Sequence, residues 1–311
     1  MKVVVTGGAG FIGSHLVRAL LKRGDRVRVI DNFSTGKEEN LSDIISDIDL
    51  CRGDIRDEAL LAEMLAGIDA VLHQAALPSV PRSFADPVGT TAVNIGGTLA
   101  LLEAARRKGV KRFVFASSSS IYGNSPVSPK NESLPPGPLS PYAVSKLAGE
   151  NYCRLYHKIY GIGTVSLRYF NVFGPGQSPD SQYAAVLPLF ITAVLNSKQP
   201  VIYGDGTQSR DFTFIDNVVR ANLLALDAPG VKGGGICNIA CGSSTSLLDV
   251  IGLLEKFSGR RIEPRFDPPR SGDVKHSLAS VEKAESILGY HPAVDFPEGL
   301  ERTYKYFKES V

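Results

Sequence analysis

The sequence has little net charge, few cysteines and no long hydrophobic run. Its 34 basic and 32 acidic residues leave a net charge of +2 over 311 residues, and no block of like charge favours nucleic acid or an anionic membrane as a partner. No apolar run approaches the roughly 18 residues that span a bilayer. The start, MKVVVTGGAGFIG, is broken by glycines too early for a signal peptide. These absences predict a protein with no membrane anchor and no nucleic-acid partner.

The four cysteines are scattered along the chain, at Cys51, Cys153, Cys237 and Cys241. None forms a Cys-x-x-Cys pair, and no histidine pair stands near them at the spacing of a zinc site. We therefore expect neutral thiols in a reducing compartment, with the cytoplasm as the predicted location, and no bound metal.

Short apolar runs alternate with helical patterns over about the first 170 residues. VVVT (3–6) and RVRVID (26–31) have the length of buried strands, and GSHLVRALLKRG (13–24) has the period of a helix that ends in glycine. Strands that alternate with helices predict an α/β fold with a doubly wound parallel sheet, the Rossmann architecture. Further strands are expected at 50–54, 70–76, 112–120 and 163–171, and further helices at 59–67, 94–109 and 142–161.

The alternation becomes less regular from about residue 175, where prolines, glycines and polar turns cluster. We expect a smaller C-terminal α/β lobe that closes over the edge of the sheet. Residues 1–172 form the predicted sheet domain, to which segments near 212–240 return, and residues 173–311 form most of the second lobe.

The stretch TGGAGFIG (6–13) places Gly7, Gly10 and Gly13 between a predicted strand and a predicted helix. Glycines in this context permit a tight turn, a close approach of backbone to a pyrophosphate, and close packing of the helix on the sheet. The free N–H groups and the positive dipole end of the helix favour phosphates. The pattern predicts a dinucleotide site, and a glycine-rich turn without a ligand is the alternative.

Asp31 lies eighteen residues after Gly13, at the end of the second predicted strand. A carboxylate there can accept hydrogen bonds from both ribose hydroxyls and would repel a 2′-phosphate, which favours NAD over NADP. A loop N-cap is the alternative for Asp31. Asp54 ends the next strand, within reach of an adenine amino group, and HQAA (73–76) ends the fourth. Because the carboxyl ends of parallel strands line one crevice, these residues are expected to lie together.

The serine run SSSS (117–120) ends one predicted strand, and PYAVSK (141–146) begins the next helix with Tyr142 and Lys146 one turn apart. A surface i,i+4 pair and a polar strand end are the plain structural alternatives. Beside a nicotinamide, the ammonium and the positive charge of the cofactor would lower the pKa of the phenol from its usual value near 10. A phenolate can take the proton from a sugar hydroxyl while the carbon gives its hydride to NAD.

An ordered set of motifs over essentially the whole chain resembles the extended short-chain dehydrogenase/reductase family, within its nucleotide-sugar branch. The sequence is most similar to the UDP-hexose 4-epimerases. The motifs are TGGAGFIGSH, DNFSTG, GDIRD, HQAA, SSSSIYG, PYAVSK, RYFNVFGP, GDGTQSRDF and RSGDVKHS.

The resemblance implies a catalytic set and a bound NAD. Tyr142 matches the catalytic base of the family, Lys146 its partner and a ligand of the nicotinamide ribose, and Ser118 the active-site serine. The implied cofactor-binding residues are Gly7, Gly10, Phe11, Ile12, Gly13, Asp31, Asn32, Ser34, Thr35, Gly36, Asp54, Ile55, Gln74, Ala75, Ala76, Asn94, Tyr142, Lys146 and Tyr169.

The resemblance also implies a UDP-sugar site. Asn171, Arg210 and Arg270 resemble residues that bind the substrate diphosphate, for which arginine forks are well suited, and Asp273 resembles the residue that binds the uridine ribose. Surface salt bridges are the alternative for the arginines. The implied substrate-binding residues are Ser79, Ser118, Tyr142, Asn171, Val186, Tyr203, Arg210, Arg270, Asp273 and Ser277.

Differences between this sequence and the motifs of other branches of the family reduce the number of reactions expected. Sugar-nucleotide dehydratases of the family carry an Asp-Glu pair where this chain has Ser119 and Ser120, so dehydration and decarboxylation are disfavoured. Epimerases restricted to UDP-glucose and UDP-galactose carry a bulky tyrosine where this chain has Ser277. The segment AALPSVPRS (75–83) is similar to that of epimerases for UDP-N-acetylhexosamines. A small residue at 277 leaves room for a 2-N-acetyl group.

The implied activity is that of a UDP-hexose 4-epimerase, an isomerase that works through a transient 4-keto sugar and bound NADH. It would interconvert UDP-glucose with UDP-galactose, as in galactose metabolism, and UDP-GlcNAc with UDP-GalNAc. A UDP-glucuronate 4-epimerase, with Arg82 as a weak candidate for the carboxylate contact, is one alternative. A non-catalytic NAD-binding regulator and a purely structural protein are alternatives of other classes.

The resemblance further implies a homodimer. The family commonly dimerises through two helices, and residues 94–108 and 143–159 here have apolar faces wide enough for that contact. The alternative is that these faces only pack on the sheet.

Overall fold

The computed structural model describes residues 1–179, 185–228, 234–269 and 275–309. Its strands are short, and most of the long ones lie in the first half of the chain. They are β1 (Lys2–Thr6), β2 (Arg26–Asp31), β3 (Asp49–Arg52), β4 (Ala70–His73), β5 (Arg112–Ser118), β6 (Gly163–Tyr169), β7 (Val172–Phe173), β8 (Val201–Tyr203), β9 (Ser209–Arg210), β10 (Thr213–Phe214), β11 (Gly235–Ile239), β12 (Thr245–Ser246), β13 (Arg265–Asp267) and β14 (His276–Ser277).

Helices follow most of these strands. They are α1 (Phe11–Lys22), α2 (Glu58–Met64), α3 (Val80–Ala85), α4 (Pro87–Thr91), α5 (Thr98–Arg107), α6 (Pro141–Tyr160), α7 (Val186–Leu195), α8 (Ile215–Asp227), α9 (Leu247–Ser258), α10 (Glu282–Leu288) and α11 (Phe296–Glu309). A π-helical segment, Ala92–Gly97, leads into α5.

Seven parallel strands form the main sheet, in the order β11-β6-β5-β4-β1-β2-β3. Strand β1 pairs with β2 on one side and with β4 on the other, so the strand order reverses beside β1. The carboxyl ends of these strands meet at one edge, where a crevice opens at such a reversal. The predicted doubly wound α/β fold is confirmed.

Two apolar cores cover the two faces of this sheet. One contains Leu16 and Leu20 of α1 and continues into α8 and the C-terminal helices. The other contains Leu101 and Leu102 of α5 together with Phe113 of β5. Because both faces are buried, the central strands are nearly continuous apolar runs, which is the pattern that made them recognisable.

The C-terminal part of the chain contributes to the main sheet and also forms small sheets of its own. Strand β11 pairs with β6 in the main sheet, and α8 packs on α1. The short strands β12, β9 and β14 form a separate three-stranded sheet. The limits of the two lobes stay a prediction, with β11 as a returning segment of the kind expected.

Within the described ranges, no helix is both long and apolar enough to cross a membrane. The same part of the chain contains no group of three or more histidine, cysteine or acidic side chains placed to hold a metal ion.

Two helical glycines provide a test of how tightly α6 packs on the sheet. A Cβ at Gly149 would lie 2.3 Å from Cζ of the buried Phe115 ring, whereas a Cβ at Gly252 in α9 would meet nothing within 4 Å. We expect Gly149→Ala to lower the free energy of unfolding by about 1–3 kcal/mol through overpacking. The matched Gly252→Ala should raise it by about 0.5–1 kcal/mol. Urea denaturation measures both, and equal effects of the two changes would contradict the close packing.

Candidate active site

A cleft of about 460 Å³ runs along the carboxyl edge of the main sheet. Its size suits a cofactor or a substrate. Its lining contains all the predicted cofactor residues except Gly36 and Asn94, namely Gly7, Gly10, Phe11, Ile12, Gly13, Asp31, Asn32, Ser34, Thr35, Asp54, Ile55, Gln74, Ala75, Ala76, Tyr142, Lys146 and Tyr169.

The glycine loop between β1 and α1 has no room for side chains. Gly7 has φ of +70°, and a Cβ there would lie 2.7 Å from the Ala75 nitrogen. A Cβ at Gly13 would lie 2.0 Å from the Gly7 carbonyl oxygen. Helix α1 begins after Gly10, and no side chain of the described residues caps it. Its first N–H groups and positive dipole end therefore face the cleft as an anion site, which fits a pyrophosphate.

The carboxylate of Asp31 is held rigidly at the end of β2. Its Oδ2 accepts a hydrogen bond from the Ala9 N–H at 2.9 Å, and its Oδ1 accepts one from the Phe33 N–H at 2.8 Å. Each oxygen keeps lone-pair capacity for a ribose hydroxyl. Gly36 lies behind this carboxylate, where a Cβ would be 3.0 Å from Oδ2. Gly36 therefore shapes the site without lining it, and the carboxylate fits the ribose of NAD.

Asp54 is already engaged by its neighbours. Arg56 donates to both carboxylate oxygens, at 2.8 and 2.7 Å, and Asn32 Nδ2 donates at 3.2 Å. The Arg56 guanidinium holds the pKa of this carboxyl down, at about 2. An adenine amino group would have to share these oxygens with Arg56, so the expected adenine contact stays a prediction.

Helix α6 begins next to the predicted catalytic tyrosine. The Ser140 Oγ accepts a hydrogen bond from the Ala143 N–H at 3.1 Å, which caps the helix. Pro141 occupies the first helical turn, where its fixed φ and missing N–H are tolerated. The sequence SPYAVSK thereby places Tyr142 in the first turn of α6, at the edge of the cleft.

The structure brings together the three predicted catalytic side chains. Lys146 Nζ donates a hydrogen bond to the Ala116 carbonyl oxygen at 2.8 Å and lies 5.8 Å from the centre of the Tyr142 ring. The side chain of Ser118 lies close enough to the Tyr142 phenol to act on its pKa. Strand β5 thus holds both helix residues at its carboxyl end.

Burial, rather than the lysine, controls the pKa of the tyrosine. Burial raises the pKa of the Tyr142 phenol, and the neighbouring Ser118 side chain opposes this rise only in part. Lys146 does not lower this pKa through the contacts that the chain itself provides, and the expected lowering beside a bound nicotinamide stays a prediction. The ammonium is directed to the Ala116 carbonyl and lies beside the ring, so it does little for the phenol oxygen. Burial also lowers the pKa of Lys146, to about 8.

Asn94 lies behind the cleft and supports it. Its Oδ1 accepts a hydrogen bond from the Leu77 N–H at 2.8 Å, and its Nδ2 donates to Ser145 Oγ at 3.1 Å. Ser145 Oγ donates in turn to the Tyr142 carbonyl oxygen at 2.7 Å. This predicted cofactor residue therefore joins the turn after β4 to the first turns of α6.

A cluster of hydrogen-bonded side chains lies at the cleft around Tyr169. Asn222 Nδ2 donates to the Tyr169 oxygen at 2.8 Å, and Gln74 Nε2 donates to it at 3.2 Å. Asn222 comes from α8 and was not among the predicted residues. Its position in a helix with apolar neighbours gave the sequence no reason to place it beside Gln74.

A second cavity, of about 260 Å³, adjoins the first and shares Val172 and Ala185 with it. The predicted substrate residues that line it are Asn171, Val186, Tyr203 and Arg210.

Asn171 has an uncommon backbone geometry in this cavity. Its φ is +35°, and its Nδ2 donates to the Asp211 carbonyl oxygen at 2.9 Å. Strain of this kind in a non-glycine residue persists only where the surroundings fix it, as they do in binding sites.

The remaining predicted substrate residues lie around these cavities or outside the described part of the chain. Ser277 is buried in β14, opposite Arg210 of β9. Ser79 caps α3, where its Oγ accepts a hydrogen bond from the Arg82 N–H at 3.1 Å. Arg270 and Asp273 lie outside the described residues.

Asp211 is a further residue that sequence reasoning missed. Its carboxylate accepts hydrogen bonds from the N–H groups of Cys241, Gly242 and Ala279, at 2.9, 3.0 and 3.2 Å. Its own N–H donates to the Ser277 carbonyl oxygen at 2.8 Å. This buried acid therefore joins the segments that carry Asn171, Arg210 and Ser277. The available sequence signal was an acidic residue directly before the apolar run FTF (212–214), which is typical of a buried and hydrogen-bonded carboxylate.

The model of the NAD dependent epimerase/dehydratase family matches residues 3–240. The chain belongs to this family. The UDP-glucose 4-epimerase of Mycolicibacterium smegmatis is 38% identical over 314 residues, which cover 99% of each chain. A solved UDP-N-acetylglucosamine 4-epimerase from Methanobrevibacter ruminantium, in complex with UDP-N-acetylmuramic acid, is 41% identical with a TM-score of 0.95 and covers 100% of this chain and 99% of that one.

Members of the family that resemble this chain differ in the sugar they carry. A UDP-glucose 4-epimerase from Thermotoga maritima with UDP-glucose is 38% identical with a TM-score of 0.94, over 100% of this chain and 99% of that one. A UDP-glucuronic acid 4-epimerase from Bacillus cereus, with UDP-glucuronic acid and NAD, is 40% identical with a TM-score of 0.92 over all of both chains. The predicted resemblance to the UDP-sugar 4-epimerases of the extended short-chain dehydrogenases/reductases and the predicted NAD dependence are confirmed.

The shifted pKa of Lys146 gives a pH dependence of stability. The folded protein releases this proton near pH 8 and the unfolded chain near pH 10.5. Between these values the unfolded chain binds more protons, so the free energy of unfolding rises with pH. Relative to Lys146→Met, the wild type should gain about 3 kcal/mol across this window.

Urea denaturation at a series of pH values measures this difference. Lys108→Met, at an exposed position of the chain, is the matched control for the loss of any lysine. Parallel pH profiles of the wild type and Lys146→Met would contradict the buried-ammonium interpretation.

Proposed function

We propose that this protein is a UDP-hexose 4-epimerase that interconverts UDP-glucose with UDP-galactose and UDP-GlcNAc with UDP-GalNAc. The observation that supports this most strongly is that Tyr142 and Lys146 line a cleft that adjoins a second cavity, with Ser118 beside Tyr142. One cavity has the chemistry of a dinucleotide site, and the other contains Asn171 and Arg210. A proton-transfer group in the cleft that adjoins this second cavity suits a reaction between cofactor and nucleotide sugar.

The residues of the larger cleft would hold NAD. The glycine loop and the first turn of α1 would bind its pyrophosphate, Asp31 its adenine ribose, and Lys146 its nicotinamide ribose. When bound, NAD would supply a positively charged ring that favours the phenolate and a reversible acceptor for the C4 hydride. Tyr142 takes the proton from the sugar O4 and later gives it back, with Ser118 as its hydrogen-bond partner.

The second cavity would bind the nucleotide diphosphate and leave the hexose free to turn. Arg210 and Asn171 would meet the phosphate oxygens, and Arg210 donates to the carbonyl oxygens of Ser209 and Lys275, at 3.0 and 3.2 Å. A firm hold on the nucleotide and a weak hold on the sugar allow a 4-keto hexose to present its other face. No net cofactor is consumed in this cycle.

Proton NMR of the purified protein with UDP-glucose, UDP-GlcNAc and UDP-glucuronate in separate tubes, without added reductant, tests the proposal. We expect galacto epimers from UDP-glucose and UDP-GlcNAc. Tyr142→Phe should lower turnover by roughly 10²–10⁴-fold while NAD stays bound, because the proton-transfer group is lost. Conversion of UDP-glucuronate alone would replace the substrate assignment, and no conversion in any tube would favour the NAD-binding regulator.

The same experiment with Ser277→Tyr tests substrate breadth. The small, buried Ser277 pairs with Arg210 in the β9–β14 ladder, and we infer from the family resemblance that a tyrosine there would remove space for a 2-N-acetyl group. We expect turnover of UDP-GlcNAc to fall much more than turnover of UDP-glucose. Unchanged turnover of UDP-GlcNAc would remove Ser277 from the specificity of the enzyme.

We also propose a homodimer formed through α6 and its neighbours. Val144, Leu155 and Ile159 of α6 are exposed, at 49%, 46% and 62%, and Phe84 and Val88 extend this apolar surface. Light scattering at micromolar concentration should give the mass of a dimer, and Ile159→Lys should shift it toward a monomer. A monomer mass for the wild type would contradict the proposal.

A further inference from the structure

Three consecutive residues at the end of β5 each meet a different turn of α6. The Ser118 side chain lies beside the Tyr142 phenol, the Ala116 carbonyl accepts from Lys146 at 2.8 Å, and Ser117 Oγ donates to Glu150 Oε1 at 2.6 Å. The helix residues are four apart, so they share one face of α6. The first two contacts involve the proposed catalytic groups, and the third involves an acid to which the reaction gives no role.

Glu150 is the anionic half of a buried ion pair. Arg168 of β6 donates to its two oxygens at 2.8 and 2.7 Å, and the two side chains are 1% and 3% exposed. Arg168 stands opposite Ser117 in the β5–β6 ladder. The carboxylate thus joins the ends of two neighbouring strands to the helix that carries Tyr142 and Lys146.

The arginine also reaches the turn that follows β5. Its guanidinium carbon lies 4.7 Å from the centre of the Tyr122 ring, and the Tyr122 hydroxyl donates to Asn238 Oδ1 at 2.7 Å. The backbone from Ser117 to Tyr122 therefore lies between two anchors, and Ser118 is within it. These contacts fix the segment that meets the phenol of Tyr142.

Stability alone does not explain the Glu150–Arg168 pair, because apolar side chains could stabilise the fold equally well. A buried ion pair is often no more stabilising than well-packed hydrophobic residues of the same volume. In addition, Nη1 of Arg168 is buried without a hydrogen-bond partner among the described residues, which carries a cost in folding free energy. The ion pair instead provides specific geometry. Its hydrogen bonds fix the position of α6 along the strands β5 and β6.

We propose that Glu150, held by Arg168, is a positioning residue that sets the height of α6 against β5 and so places Tyr142 against Ser118 and Lys146 against Ala116. This inference rests on the proposed function in taking Tyr142 as the base. A shift of the helix by a fraction of a turn would leave the cavities open but would misplace the phenol relative to the sugar hydroxyl.

The decisive variant is E150M/R168M, which removes both charges and keeps similar volumes. We expect a thermal midpoint close to that of the wild type, retained NAD, a UDP-sugar KM within about threefold of the wild type, and kcat lower by about 10- to 100-fold. Glu150→Gln alone should lose both stability and kcat, because it leaves Arg168 buried without its partner.

Two further variants keep the test sharp. Ser117→Ala removes one hydroxyl and should lower kcat with little change in the thermal midpoint, so it decides the matter if the double variant does not fold. Glu301→Gln is the matched control, since Glu301 pairs with Lys305 on the surface of α11 and its loss should leave kcat unchanged. A stable E150M/R168M enzyme, or a Ser117→Ala enzyme, with wild-type kcat would overturn the proposal.

A second readout separates this proposal from the activity itself. The near-ultraviolet phenolate signal that disappears in Tyr142→Phe reports the titration of Tyr142, against which the structure places Lys146 and Ser118. We expect this titration to shift in E150M/R168M and in Ser117→Ala, and to be unchanged in Glu301→Gln. If the wild type does not epimerise any sugar, the proposed function fails, and an unshifted titration would then overturn the positioning role separately.

Discussion

The contact between the carboxyl end of β5 and the first half of α6 is the interaction on which the site depends. A buried ammonium would be unstable there without an acceptor, and the Ala116 carbonyl oxygen provides one to Lys146 at 2.8 Å. Gly149 allows α6 to approach the Phe115 ring closely, since a Cβ would lie 2.3 Å from that ring. Phe115 and Ala116 are adjacent in β5. The same part of the strand therefore sets both how closely α6 packs on the sheet and where Lys146 finds its hydrogen-bond acceptor.

Desolvation decides the charges around this contact. Burial raises the pKa of Tyr142 and lowers that of Lys146 to about 8, so both groups are moved toward their neutral forms. His73 lies nearby between Thr6 and Thr98, at 2.7 and 2.8 Å, and burial lowers its pKa to about 3, so it is a neutral structural group. In this desolvated part of the site, a charge on a bound ligand would interact more strongly with these groups than it would in water.

The second cavity depends on a different buried acid. Asp211 accepts three backbone N–H groups from β11 and β14 segments, while its carbonyl oxygen accepts from Asn171. Burial raises its pKa to about 6, although the three donors oppose this. The predicted nucleotide-binding residues come from short strands far apart in the chain, and this carboxyl is what holds those strands together beside the main sheet.

The sequence by itself determined strands β1 to β6, the glycine loop and the residues of the Tyr-Lys pair, because each depends on local periodicity or on residues a few positions apart. The apolar runs located β2 at 26–31 as the structure has it, and the spacing of Gly7, Gly10 and Gly13 placed an anion site at α1. Only the tertiary structure decided the direction of the Tyr142 pKa, since burial depends on elements that the chain brings together from a distance. It also decided that Glu150, one helical turn beyond Lys146, meets Arg168 and Ser117, and that Asn222 meets Tyr169. Those contacts join residues far apart in sequence, where no local pattern records which polar side chains will share a buried site.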